Sequence, residues 1–386
     1  MITSSPPLIA HVIYRLDIGG LENGLVNLIN HIPDERYRHV ILCLKGHSDF
    51  RSRIRRKDVE IIDLEKRDGN DLRLYYRLWQ HFKALKPDIV HTRNLTTLEA
   101  VIPAMLSGIN VRIHSEHGRD FDDLDGNNRK HRLLRRALMP AVSHAIALSR
   151  DLESYMNLKI GVPKHKITQI YNGVDTQKFH PSGGKNSVLP FSEPGLIVFG
   201  TVGRMQAVKD QTTLVRAFIR LLEIRPELRA TVRLIIVGDG PIRSKAIALL
   251  EDAECADIVW LPGARGDVAD IMRQMDIFVL PSLSEGISNT ILEAMATGLP
   301  VIATRVGGNE ELVDENETGF LVPSADPEAM ARCMLRYSAD RPLIMRHGSA
   351  AKQKAEKCFS MDSMVRAYLQ VYDSNHHKGM INMTGN

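Results

Sequence analysis

The 386 residues are 44% hydrophobic and 25% charged, with a formal net charge of +4, and that length is more than one ordinary core fills, so two domains are expected. No apolar run reaches the length of a membrane span, and the N-terminal stretch lacks the charged region and sustained apolar segment of a signal peptide. Cys43, Cys255, Cys333 and Cys358 stand apart without a paired motif, which argues against structural zinc and for a reducing, cytoplasmic setting.

Short β-rich runs alternate with helical patterns from the start of the chain. The first-half strand candidates are 8–14, 39–44, 61–63, 89–91, 112–115, 145–147 and 167–170. Gly19 and Gly20 follow the first of them, just before a helix begins. They either let backbone approach a ligand closely or form an ordinary turn. His91 stands in IVHTRN, and His117 in HSEHG after an apolar strand. Each is either a partner for a sugar hydroxyl or a satisfied structural group.

Charge is uneven. Residues 1–180 hold 28 Lys and Arg against 21 Asp and Glu, net +7, while the remainder holds 22 against 25, net −3. Two clusters concentrate the excess: RSRIRRK from Arg51 to Lys57, and RKHRLLRR from Arg129 to Arg136, which runs into apolar 137–142. The second reads as a basic amphipathic helix suited to an anionic membrane surface, or as a solvated helix face. Aromatics are only 5% and no nucleic-acid module is recognisable, so no nucleic-acid partner is expected.

The Gly/Pro/Ser-rich stretch within 180–195 is the expected linker, placing a first domain at 1–180, the linker at 181–195 and a second domain at 196–355. The second half repeats the alternation with strands at 196–202, 233–237, 258–261, 277–280 and 300–303. This predicts an α/β protein of two doubly wound parallel-sheet domains facing across a cleft, with ligands at the C-terminal strand ends. Gly203, Arg204 and Lys209 follow the first strand of this half. Two cations there neutralise a diphosphate, or are simply solvated. Gly238-Asp239-Gly240-Pro241 reads as a structural turn entering a helix.

The segment DIFVLPSLSEGISNTILEAMATGLPVIAT, 276–304, reads as strand, loop, helix, strand. Glu285 falls in the loop and Glu293 on the helix, eight positions apart. A fully helical run of that length rises about 12 Å, longer than the roughly 5–9.5 Å between carboxylates that cleave a glycosidic bond. Ser288 or Asn289 can cap the helix and Gly298 can end it in the left-handed conformation. The free N–H groups at such a helix start suit a phosphate. Near the end, Met361, Met364, Val365, Tyr368, Leu369 and Tyr372 form one helical face over 356–373, and 374–386 reads as a disordered tail. No His/Asp/Glu cluster has metal-ligand spacing, and neither a P-loop nor a nucleophile elbow is present.

Taken together, Gly19-Gly20, Glu116-His117-Gly118, Asn172-Gly173-Val174-Asp175, Gly203-Arg204 with Lys209, the 238–241 turn, and Glu285-Gly286 through Glu293-Ala294 to Gly298 and Pro300 resemble family 4 retaining glycosyltransferases of the GT-B fold. The resemblance runs from about residue 8 to 373, and looks most similar to bacterial exopolysaccharide sugar transferases, including exosortase-associated ones. It implies two Rossmann-like domains with a C-terminal helix crossing back to the first. It also implies metal-independent transfer of a hexose from a nucleoside-diphosphate sugar, UDP ahead of GDP, to a saccharide or lipid-linked acceptor, with no cofactor. Arg204 and Lys209 would bind the diphosphate, Glu293 the ribose and Glu285 the hexose, with backbone N–H groups of Gly286, Ile287, Ser288 and Asn289 facing the donor. Gly19 and Gly20 would approach the phosphate, and His117 the transferred sugar. Many relatives carry a second histidine where this chain has Arg93, which suggests a charged acceptor or no role at all. The alternatives are a nucleotide-sugar epimerase on the same fold and a non-catalytic carbohydrate-binding protein. A Rossmann oxidoreductase fits the alternation but lacks the dinucleotide fingerprint.

Overall fold

The computed structural model describes residues 5–17, 19–69, 71–119, 123, 126–181, 189–191 and 193–384, with side chains through Gly379. The chain divides into two compact units, Met1–Asn172 with Met361–Asn386, and Gly173–Ser360.

The first unit holds a seven-stranded parallel sheet: β1 (Leu8–Ile13), β2 (Arg38–Cys43), β3 (Glu60–Asp63), β4 (Ile89–Arg93), β5 (Val111–Glu116), β6 (His144–Ala147) and β7 (Ile167–Gln169), in the order β3-β2-β1-β4-β5-β6-β7. Both faces are covered, so β1 is buried at all six positions. On one face Ala10, Val12, Val40 and Leu42 pack against Leu74, Leu78 and Phe82 of the helix Leu72–Leu85. On the other, Ile13, Ile41 and Cys43 pack against Leu25, Val26 and Ile29 of the helix Gly20–His31.

The helix Met361–Thr384 also belongs to this unit. It buries Met361, Met364, Val365, Tyr368, Val371 and Tyr372. Asp373 accepts from Tyr37 at 2.8 Å and from Arg36 at 2.6 Å. The disordered tail expected from Ser374 is instead helix through Thr384. The reason is continuity: 374–384 lacks an apolar face of its own, but it propagates from a turn already fixed by Tyr372 and Asp373.

The second unit holds a six-stranded parallel sheet: β8 (Ile197–Val202), β9 (Val232–Val237), β10 (Val259–Gly263), β11 (Ile277–Leu280), β12 (Val301–Thr304) and β13 (Gly319–Val322), in the order β10-β9-β8-β11-β12-β13. Phe199, Leu214, Phe218, Leu221, Leu234, Ile236 and Tyr337 lie in its core. The units exchange chain at Asn172/Gly173 and Ser360/Met361 rather than at 180 and 356. Val174 pairs with Ser360 where the second unit begins and ends. Much of the expected linker, 182–188 and 192, lies outside the described residues.

Candidate functional site

In the second unit the strand order reverses between β8 and β11, and the loops leaving those two strands carry most of the candidate residues. The first loop is seated on the 238–241 turn. Gly203 N–H donates to the Val237 carbonyl at 2.9 Å and Met205 N–H to the Asp239 carbonyl at 2.8 Å. Gly238, at φ +141°, passes so close that a Cβ there would meet the Gly203 carbonyl oxygen at 1.9 Å. The turn is therefore structural, and what it supports is the Arg204 loop. Gln211 Nε2 donates to the Arg204 carbonyl at 3.2 Å. The Arg204 side chain is exposed and makes no ion pair among the described residues.

Lys209 closes the loop, and its Nζ donates to Glu285 Oε1 at 2.6 Å. The Ser282 hydroxyl donates to the same oxygen at 2.6 Å. Glu285 Oε2 has no partner among the described residues and so keeps its acceptor capacity. Leu283 N–H donates to the Val208 carbonyl at 2.8 Å, tying the two loops together through their backbones. From the far side, Gly307 at φ +51° lets the chain pass under Glu285: a Cβ at Gly307 would lie 1.8 Å from the Glu285 carbonyl oxygen. Gly308 N–H donates to the Gly286 carbonyl at 3.0 Å.

The helix Asn289–Ala296 starts there. Ser288, not Asn289, is its cap, accepting from Ile291 N–H. It ends in a Schellman motif, with Gly298 at φ +83° donating to Met295 and Leu299 to Ala294. Asn289 and Glu293 are four apart and half-buried on one face of it. Only the last part of the 285–293 interval is helical, so the rise of a full helix does not measure the separation of the two glutamates. An exposed guanidinium, an ammonium, a carboxylate with a spare oxygen and a helix N-terminus together suit a ligand that joins phosphate to hydroxyls.

In the first unit the order reverses between β1 and β4, and Gly19 leaves β1 at that point as the N-cap of the helix Gly20–His31. Gly19, having no side chain, offers this helix no side-chain cap of its own. The backbone at Gly19 is extended, so its conformation does not itself demand glycine; a Cβ would meet Glu22 Oε2 at 2.1 Å. After β5, His117 N–H donates to Asn94 Oδ1 at 2.7 Å, and His117 Nε2 lies 2.8 Å from Ser115 Oγ. Its Nδ1 is buried without a hydrogen-bond partner among the described residues. Burial, reinforced by Arg93, pulls the His117 pKa well below the usual imidazole range.

His91 is fully buried, between Ser115 Oγ at 3.0 Å and the Tyr372 hydroxyl at 2.8 Å. Arg93 is also buried, 1% exposed, among His11, His91 and Tyr372. Sequence reasoning singled out His91 and Arg93 but not their joining to His11 and His39, although His91 and Arg93, two apart on β4, share one face of the sheet, and single histidines in the apolar strands β1 and β2 hint at a polar seam.

The opposite face carries a second polar chain. His114 Nε2 lies 3.3 Å from Glu116 Oε1, and Arg135 Nε donates to that oxygen at 2.7 Å. Burial pushes the Glu116 pKa up, but Arg135 and His114 outweigh it and hold the carboxyl down at about 2. Arg135 is thus an internal anchor, not part of a solvated basic face. Arg56, in the other basic cluster, is likewise paired, with Asp34 at 3.1 Å and Asp58 at 2.6 Å. Among the described residues no helix is long and apolar enough to cross a membrane.

Two family models match this chain: Glycosyltransferase Family 4 over residues 18–178 and Glycosyl transferases group 1 over residues 197–340. A lipopolysaccharide core biosynthesis mannosyltransferase, LpcC of Rhizobium leguminosarum bv. viciae, is 30% identical over 64% of this chain and 68% of its own length. The chain belongs to the group 1 glycosyltransferases. A UDP-Gal:alpha-D-GlcNAc-diphosphoundecaprenol alpha-1,3-galactosyltransferase of Escherichia coli is 27% identical to this glycosyltransferase over 88% of the chain and 90% of its own length. Among solved structures, Anabaena HepE in complex with UDP and glucose superposes with a TM-score of 0.77 at 19% identity, covering 95% of this chain and 99% of its own. Sucrose-phosphate synthase of Thermosynechococcus elongatus superposes at 0.78 and 19% identity, covering 95% and 98%. The fold is GT-B.

Proposed function

We propose that this glycosyltransferase moves a hexosyl group from a nucleoside-diphosphate sugar, UDP ahead of GDP, to a saccharide or lipid-linked acceptor in extracellular polysaccharide biosynthesis, with retention of anomeric configuration. The observation that carries the reading is the joining of the Arg204–Lys209 loop to the Glu285 loop at the reversal of the second sheet, with Lys209 2.6 Å from Glu285. The names of the Escherichia coli and Anabaena relatives support UDP as the nucleotide, and the former supports a lipid-linked acceptor.

Arg204 and Lys209 take the diphosphate, Glu293 the ribose hydroxyls, and Glu285 the hexose through its spare oxygen. The N–H groups from Gly286 to Asn289 face the donor. Gly19 and Gly20 meet the phosphate, and His117 the transferred sugar. In the reaction the bond from the anomeric carbon to the phosphate oxygen breaks as the bond to the acceptor oxygen forms on the same face. The acceptor's proton passes to the departing phosphate oxygen, so no side chain serves as the base, and the direct attack leaves none to serve as nucleophile. Arg204, Lys209 and the helix start carry the charge that develops on the leaving diphosphate, in place of a metal or other cofactor. The exposed residues of the basic cluster from Arg129 to Arg136, and those from Arg51 to Lys57, bring the enzyme to an anionic membrane surface.

A thermal-shift panel of UDP, GDP, ADP and their sugars tests the donor, because a ligand raises stability with the logarithm of its concentration over Kd. UDP and a UDP-sugar are expected to give the largest shifts. Transfer is expected to persist in EDTA and to fall sharply in Glu293→Ala and Arg204→Ala. Folded variants with undiminished transfer would refute the residue roles, and an epimerised donor formed without acceptor would favour the epimerase.

A further inference from the structure

Seven side chains of the first unit form one hydrogen-bonded chain beneath the helix Met361–Thr384. His117 Nε2 lies 2.8 Å from Ser115 Oγ, which lies 3.0 Å from His91 Nε2; His91 Nδ1 lies 2.8 Å from the Tyr372 hydroxyl. Arg93 Nη2 lies 3.3 Å from His91 Nδ1 and 3.2 Å from His11 Nδ1. His11 Nε2 lies 2.9 Å from His39 Nδ1. No carboxylate among the described residues lies within ion-pair distance of Arg93, so its only hydrogen-bonding neighbours are neutral groups.

A guanidinium donates and cannot accept, and that sets the direction of the bonds on either side of it. The two Nδ1 atoms that Arg93 faces must therefore both be bare. Neutral His91 then carries its proton on Nε2 and donates it to Ser115 Oγ. The single hydroxyl proton of Ser115 has no other acceptor among the described residues, and so donates to His117 Nε2. Neutral His117 then carries its own proton on Nδ1, the atom that has no partner among the described residues. The same logic in the other direction makes His11 donate to His39, and puts the His39 proton on its unpartnered Nε2. Burial keeps His11, His39, His91 and His117 neutral, pulling each below the usual imidazole range, His39 to about 3. A histidine in place of Arg93 donates or accepts at either ring nitrogen, and leaves the direction of the chain unset.

We propose that Arg93 is a positioning residue that fixes His117, through His91 and Ser115, as the Nδ1–H tautomer, so that an oxygen of the transferred sugar that reaches this buried atom meets a hydrogen-bond donor. The last step rests on the reading of His117 given above; the tautomer itself does not. Arg93 thus acts without touching substrate, and Tyr372 acts in the same sense by donating to His91 Nδ1.

The test is a two-bond proton–nitrogen correlation spectrum of the full-length protein labelled with 15N-histidine, with His117 assigned by its loss in His117→Gln. In the wild type, His117 is expected to show a protonated Nδ1 and a bare Nε2, and His91 the reverse. In Arg93→Met, and more completely in Arg93→Met with Tyr372→Phe, both rings are expected to become tautomer mixtures. Arg93→Lys, still donor-only, is expected to restore the wild-type pattern. Ser115→Ala cuts the chain at a small side chain and is expected to release His117 alone. In transfer assays Arg93→Met is expected to lower kcat roughly 10- to 100-fold with little change in donor KM, and Arg93→Lys to recover part of it. A His117 that stays wholly Nδ1–H in folded Arg93→Met and Ser115→Ala overturns the proposal. Tautomers that respond as expected in a protein without transfer activity support the chain and count against the glycosyl-transfer reading. Tautomers that respond while kcat stays level overturn the link to the sugar.

Discussion

Lys209 and Glu285, 76 residues apart in sequence, are joined at 2.6 Å where the strand order of the second sheet reverses. The ammonium keeps donors to spare, and the carboxylate keeps Oε2. The pair can therefore grip a ligand without breaking, Lys209 on a phosphate and Glu285 on a hydroxyl.

That division of labour separates two variants. Lys209→Met removes the cation proposed to meet the phosphate and strands a mostly buried carboxylate. Titration calorimetry is expected to show UDP affinity falling about 10- to 100-fold. Glu285→Gln is expected to leave UDP affinity within about threefold, to weaken a UDP-sugar, and to cut transfer roughly 100- to 1,000-fold. Equal loss of UDP affinity in both variants contradicts the assignment.

Gly307→Ala tests how the Glu285 loop is held. The new Cβ would lie 1.8 Å from the Glu285 carbonyl oxygen, and φ of +51° is a left-handed conformation. Backbone must move, and it is the backbone of the candidate site that moves. A cost of about 2–4 kcal/mol is expected, read as a lower thermal midpoint, with transfer reduced beyond what Glu285→Gln shows. Unchanged stability and activity would mean that the loop position is not set by this contact.

Stability is expected to depend on pH through the buried imidazoles. His11, His39, His91 and His117 all have folded pKa values below the usual 6.5, mainly through burial, with Arg93 acting on all four and Arg56 and Asp58 on His39. On unfolding below that pH each ring takes up a proton. Their contribution is therefore full above about pH 6.5 and is lost as pH falls, at about 1.4 kcal/mol per pH unit for each ring. Glu116, held at about 2, adds a further loss below the normal carboxylate range. Urea midpoints between pH 8 and 5 measure the imidazole part: a steep fall is expected, shallower by one proton in His39→Gln, and a flat profile would contradict the burial of neutral rings.

These sites were legible in the sequence to different depths. β11 matches its expected bounds because Asp276 and Pro281 bracket a pure apolar run. β13 escaped notice because it is four residues long and opens on Gly319, where a Cβ would lie 1.9 Å from the Val301 carbonyl oxygen. The residue types of Arg204, Lys209, Glu285 and the capped helix were all readable at strand ends. Their juxtaposition was not, because it comes from the reversal of strand order, which local pattern does not encode. The helix over 374–384 was hidden because its own residues carry no apolar period. Arg93 stood out only as a departure; its consequence needed the register that sets His91 beside His11 and Arg93 beside Ser115.

The basic helix Arg129–Leu138 is the element proposed to meet a membrane, and the fold limits which of its residues are available to do so. Arg135 is turned inward onto Glu116, so it anchors the helix and is unavailable to lipid. Arg129, Lys130 and Arg136 are exposed, and Leu133, 70% exposed, stands among them. Beside this helix an apolar groove of about 610 Å³ is lined by Tyr75, Tyr76, Trp79, Leu106 and Leu138. Cations around exposed apolar side chains are the arrangement that binds an anionic bilayer, each near-surface Lys or Arg contributing about 1 kcal/mol. Reversing Arg129, Lys130 and Arg136 to glutamate is expected to lower binding to vesicles rich in anionic lipid by roughly 100-fold or more in co-sedimentation. Leu133→Asp is expected to lower it further, and neither change to alter transfer to a soluble acceptor. Raising salt to about 1 M, where the Debye length is about 3 Å, is expected to release the wild type. Binding that survives the charge reversal and the salt would assign the attachment to the groove alone, and no binding at all would remove the membrane from the account of this enzyme.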